Sequence, residues 1–263
     1  MADGSALAVG SLKGKVSAEE WQARVELAAL YRLVALHGWD DLIYTHISAR
    51  IPGPDHHFLI NPYGLLFEEI TASSLVKIDL DGNILQDTDY FVNKAGFTIH
   101  SALHAAREDA HFVMHLHSDD GVAVAAQKEG LLPLSQHALI ALPRLSYHDY
   151  EGIALDLDER ERLVADIGDK TTMLLRNHGT LALGRSAGEC WIRMYYLEKA
   201  CTQQIKALSI GRENILIAPE AAQQVVMGQT RERPMRNTDS VGGGLAWPAC
   251  LRKLDRALPG YDA

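Results

Sequence analysis

The segment with the most chemistry in this 263-residue chain is a short apolar run that ends in two histidines, His111-Phe112-Val113-Met114-His115-Leu116-His117. In a strand, side chains alternate, so Phe112, Met114 and Leu116 share one face while Val113, His115 and His117 share the other. Two residues along a strand span about 6.6 Å, which two imidazoles can close onto one ion at about 2.0–2.1 Å from each nitrogen. A third ligand must come from elsewhere. Asn177-His178-Gly179 is the best source, because the apolar run Met173-Leu174-Leu175 delivers His178 to a glycine turn, and strand ends are where open α/β sheets place their sites.

H-x-H alone is a short pattern, and the bland alternative is a pair of structural histidines. Hydrolases with an H-x-H-x-D-H signature fit poorly, since Asp120 stands where the final histidine belongs. A triad of two histidines and one carboxylate, suited to non-haem iron, would use Asp119, which continues the parity of His115 and His117. Against it, Ser118 or Asp119 reads as the start of the next helix.

Composition frames these residues. Eight of the twelve histidines fall between residues 100 and 178, and histidine is both the commonest metal ligand and the usual acid/base near neutral pH. With 25 Lys+Arg against 34 Asp+Glu, the net charge of -9 argues against a sequence-independent nucleic-acid binder, which needs a basic surface. Hydrophobic content of 47% and charged content of 22% describe a soluble globular chain. The first residues carry Asp3 where an export signal has its basic region, and no apolar stretch is long enough for a membrane span. Three distant cysteines support neither disulfides nor a thiolate zinc site, so a cytoplasmic protein is expected.

Several elements must hold the histidines in place. Ser17 with Glu20 forms a capping box that starts a helix stopped by Gly38. Residues 42 to 85 read as strands and hairpins broken by Pro and Gly turns, and a helix follows from Ala95 to Arg107. After the histidine strand come a helix from Ser118 to about Gln127, a strand near 138–142, a helix from Asp158 to Ile167, and strands near 171–176 and 180–183. A second capping box, Ser186 with Glu189, starts a long helix that reaches about Leu208. A short helix after Pro219 and a glycine turn at Gly242-Gly243-Gly244 complete the pattern. The domain division is a tail over 1–17, one α/β domain over 18–211, and a C-terminal extension over 212–263 packed at a subunit interface.

Five segments in order resemble the class II aldolase/adducin N-terminal domain family: Tyr44-Thr45-His46-Ile47-Ser48-Ala49-Arg50, Ile60-Asn61-Pro62-Tyr63-Gly64, Ala95-Gly96-Phe97-Thr98-Ile99-His100, Met114-His115-Leu116-His117 and Arg176-Asn177-His178-Gly179. The resemblance implies a three-layer αβα sandwich with a mixed or antiparallel central sheet. It also implies a homotetramer with sites between subunits, and a divalent metal held by His115, His117 and His178. Zinc is the first expectation for that metal, with manganese or iron as alternatives.

The sequence departs from the family pattern where protons and phosphate are handled. The acid/base glutamate of the family's aldolases falls at Gly96, the hydroxyl residues before it are Lys94 and Ala95, and the asparagine of the Gly-Asn-x-Ser turn is His46. A non-phosphorylated, carboxylate-bearing small molecule is therefore the expected substrate, with Lys94, Arg176 and Gln136 as contacts. His46 or His137, the latter where the family's aldolases place a tyrosine reaching into the neighbouring subunit, is expected to replace the missing acid/base. His100 reads as an outer partner of the centre and His104 as packing, while Tyr147-His148-Asp149-Tyr150 reads as a polar interface turn. The leading expectation is a metal-dependent lyase that cleaves or decarboxylates through a stabilised carbanion. The alternatives are an adducin-head-like binding module and a non-haem iron oxygenase on the same scaffold.

Overall fold

The computed structural model describes residues 10–152, 159–231 and 241–263, apart from the side chains of residues 94–96, 98, 159, 230 and 231. The first helix, α1 (Ala18–His37), begins where Ser17 accepts the Glu20 N–H and ends at Gly38, whose left-handed φ of 66° lets its own N–H reach the Ala35 and Val34 carbonyls. Three short strands follow, β1 (His46–Arg50), β2 (Phe58–Ile60) and β3 (Val76–Ile78), and then α2 (Lys94–Ala106). The histidine run forms β4 (Phe112–Leu116) and leads into α3 (Asp119–Ala125), α4 (Gln136–Ala141) and β5 (Leu145–His148). The remaining described elements are α5 (Glu159–Ile167), β6 (Thr172–Leu175), β7 (Gly179–Gly184), α6 (Ala187–Leu208), α7 (Glu220–Arg231) and α8 (Trp247–Ala257).

The strands form one seven-stranded sheet in the order β3-β2-β1-β4-β7-β6-β5. Only the β5–β6 pair is parallel, so the sheet is mixed, as expected for the three-layer sandwich. Phe112, Met114 and Leu116 pack with α1, α6 and α8 on one face, in a core that includes Leu27, Trp191 and Leu254. Val113 faces the other way, toward Leu103 of α2 and Leu163 of α5. The alternation read from the sequence therefore holds along β4, and the face that carries His115 lies under α2 and α5.

Three local expectations are corrected. Residues 138–142 are not a strand: Ser135 accepts the Ala138 N–H at 3.2 Å and starts α4, whose Ala138 and Ala141 pack with Leu197 of α6. A short apolar run does not reveal its own periodicity, so type can be settled only by what it packs against. The strand lies a few residues later, over Leu145–His148, and takes in half of the expected polar turn. The glycines at 242–244 form a wide helical turn, Gly242–Ala246, that runs into α8. The end of the chain returns to the main core through Trp247, Leu254 and Tyr261, and the Tyr261 and Ala263 carbonyls accept from Ala72 and Ser73. No described helix is long and apolar enough to cross a membrane.

Candidate metal centre

β4 lies between β1 and β7, with His115 opposite His46 on one side and Leu181 on the other. His117 sits just past the end of β4, and His178 sits in the turn before β7. One ligand nitrogen from each of His115, His117 and His178 lies within 4.8 Å of the others. The outer hydrogen bonds determine which nitrogens are free. His115 Nδ1 donates to the Thr180 carbonyl at 3.0 Å, and His117 Nδ1 meets Asp41 Oδ2 at 3.0 Å. Both rings therefore turn Nε2 inward, and the two Nε2 atoms stand 3.0 Å apart.

Two ring nitrogens at that distance share either a proton or a cation, and the donor set of the three rings fits a divalent metal of the zinc type. Burial and the neighbouring histidines push His115 well below the ordinary imidazole range, and burial takes His178 to about 4, so both are neutral at pH 7 and ready to bind. His115 closes the buried side at 4% exposure, while His117 and His178 are partly open.

The backbone is shaped around this cluster. Asn177 takes φ 56°, a left-handed conformation that asparagine tolerates better than most residues. A Cβ at Gly179 would run into the Leu116 carbonyl and stand 3.2 Å from both the His115 and His117 rings. Asp41 is carried by a tight turn in which the Tyr44 N–H donates to its carbonyl at 2.8 Å, with Leu42 and Thr45 at φ 51° and 61°. Non-glycine left-handed residues thus gather at the centre, as they do at many functional sites.

A model of the class II aldolase and adducin N-terminal domain matches residues 25–205. The chain belongs to this family. A Caulobacter vibrioides relative named "Putative aldolase class 2 protein" is 70% identical over 99% of both chains. Rat alpha-adducin is 46% identical over 199 residues, 74% of this chain, but the match spans only 27% of the adducin. Among solved structures, an aldolase II superfamily protein from Pseudomonas syringae is 52% identical and superposes with a TM-score of 0.89, covering 97% of this chain and all of the other.

The histidine trio adjoins a second histidine cluster, sealed between the sheet and α2. Here the Ser48 hydroxyl lies 2.7 Å from both His100 Nδ1 and His104 Nε2, and His104 Nδ1 donates to the Ala110 carbonyl at 2.6 Å. The hydrogens follow in sequence. His104 carries its proton on Nδ1, so its Nε2 accepts the Ser48 hydroxyl; Ser48 then accepts from His100 Nδ1, and His100 Nε2 is left as a buried acceptor with no hydrogen-bond partner among the described residues. Burial pushes His104 down to about 3 and His100 well below its usual range. His46 joins the two clusters, its ring 4.0 Å from that of His100 and 6.3 Å from that of His115. A shallow cleft beside it is lined by Tyr44, His46, Asn61, Tyr63 and Asn93.

Of the other residues singled out by sequence, His137 lies on α4, where it meets Gln203 at 3.2 Å and stacks near Tyr196. Gln136 opens the same helix. Arg176 donates to the Gln127 carbonyl at 2.8 Å and lies 4.3 Å over the Tyr147 ring. The fold of this chain brings none of these three into contact with the trio among the described interactions. The Lys94 side chain lies outside the described residues. Asp119 is exposed in the first turn of α3, and Ser118 caps that helix by accepting the Gly121 N–H, as the simpler reading of those two residues required. Asp41 and Thr180 were not foreseen. Asp41 is 76 positions from the ring it orients, and the Thr180 contact uses a backbone carbonyl, so neither leaves a spacing signal.

Proposed function

We propose that the protein is a metal-dependent lyase of the aldolase or decarboxylase type, acting on a small, non-phosphorylated, carboxylate-bearing molecule. The observation that carries this reading is the convergence of three imidazoles, two with their outer nitrogens already committed, on one partly open point. A divalent cation there, zinc in the first instance, would supply Lewis acidity to a substrate oxygen. His115, His117 and His178 would hold it, with Asp41 and the Thr180 carbonyl fixing two of the rings. His46, buried between this centre and His100 and lining the cleft by Tyr63, would hold or move a proton in the role that Gly96 has no side chain to fill. Lys94 in place of the expected hydroxyl residue favours a carboxylate over a phosphate ester as the recognised group. His137, Gln136 and Arg176 would serve a neighbouring subunit's centre in a homo-oligomer, with residues 212–263 at the contact.

The test is metal content with turnover. His46→Ala should keep its bound metal by elemental analysis and lose cleavage of carboxylate-bearing aldols or β-keto acids; loss of metal with unchanged turnover per bound ion would refute the assignment. A second reading, a binding module like the adducin head, draws on the 46% identity to alpha-adducin. Protein purified without chelators and free of metal would favour it.

A further inference from the structure

Behind the histidine trio, α6 buries a carboxyl group that the proposed chemistry does not use. Glu198 has no exposed surface. The Thr180 hydroxyl donates to its Oε1 at 2.6 Å and the Ser118 hydroxyl donates to its Oε2 at 2.5 Å. Ser118 Oγ already accepts the Gly121 N–H at 3.1 Å, so its proton is directed toward the carboxyl. The packing leaves no slack, since a Cβ at Gly121 would come within 2.5 Å of Ser118 Oγ and 2.7 Å of Thr180 Cγ2. Two donors and no dedicated acceptor form a cradle for the ionised group.

The surrounding charge opposes that form. Among the described residues, the titratable groups that act on Glu198 are Asp120 from α3 and Cys201 from its own helix, while Thr180 of β7 and Ser118 at the start of α3 contribute the two hydroxyls. Burial and Asp120 raise the carboxyl, the two hydroxyls lower it, and the balance lies at about 7. Hydrogen bonding suited to an anion, in a pocket where the described residues supply no cation, calls for a positive charge nearby. Both hydroxyl-bearing residues lead to the trio: Ser118 follows His117, and the Thr180 carbonyl holds His115.

We propose that Glu198 is the buried counter-charge of the metal centre, so that uptake of a divalent cation by the three histidines and loss of the Glu198 proton to solvent are one coupled event. Three neutral imidazoles leave two positive charges uncompensated; Asp41 offsets one on the open side and Glu198 the other on the closed side. Glu198 is thus a positioning residue, tuning affinity through Ser118 and Thr180 without touching the ion. The inference rests on the metal-centre reading above.

The experiment is calorimetric titration of metal-free protein with zinc ion in two buffers of different ionisation enthalpy, which counts protons released on binding. At about pH 6 the wild type should release close to one proton more than Glu198→Gln, and above about pH 8 the excess should vanish. There the variant should bind zinc about 10–100-fold more weakly. Equal proton counts and equal affinities would overturn the proposal. Thr180→Val keeps the backbone carbonyl and removes one donor to the carboxyl; it should shift the excess release to higher pH, and an unmoved profile would overturn the proposal even if Glu198→Gln does not fold. Zinc binding by neither the wild type nor any variant would instead refute the metal-centre reading itself.

Discussion

The two histidine clusters are built from the same side chain on the same face of the same sheet, and they do opposite things. At the open end of β4, each outer nitrogen of His115 and His117 is tied to a carbonyl or carboxylate, leaving Nε2 turned toward a common point. Under α2, His100 and His104 are tied to each other through Ser48, and three of their four nitrogens are used internally. The first arrangement keeps its inward nitrogens available for a shared proton or cation, whereas the second is nearly complete. What a histidine does here is decided by the partner of its far nitrogen, not by its position along the sequence.

That contrast can be broken, beginning with the largest effect. His115→Ala or His178→Ala should weaken zinc binding by well over the roughly 100-fold expected for a lost outer partner, measured by calorimetric titration. Asp41→Ala should cost about 10–100-fold in affinity with little change in the thermal unfolding of metal-free protein, because its side chain is 40% exposed. Ser48→Ala should do the reverse: metal affinity stays, while stability in denaturant falls by about 1–3 kcal/mol as two buried ring nitrogens lose their partner.

The mildest probe is pH. His104 has a folded value of about 3 against an ordinary 6.5, so the unfolded chain takes up this proton first. Stability of metal-free protein should therefore decline as pH falls from about 6.5 toward 3, and His104→Gln should flatten part of that decline in acid titrations followed by circular dichroism. An unchanged acid limb would mean that the second cluster does not exclude protons as its geometry requires.

Much of the centre could be read from local order. Alternation placed Met114 and His115 on opposite faces of β4, and the capping serines at 17 and 186 started the helices that cover the sheet. Asn177 and Gly179 marked the turn that presents His178. The apolar run at 138–141 could not be read in the same way, because its helical form depends on packing against α6, and the partners of the outer histidine nitrogens lay beyond any local pattern.

The sequence by itself determined the identity of the three candidate ligands and the strand and turn that carry them, since residue type, side-chain alternation and turn chemistry act within a few positions. Only the tertiary structure decided the rest. Asp41 reaches His117 from 76 residues away, Ser48 reaches His104 from 56, and Glu198 reaches Ser118 from 80. A hydrogen bond acts over about 3 Å of space whatever the separation along the chain, so tautomers, burial and counter-charge were fixed by the way the sheet and its two helical layers close.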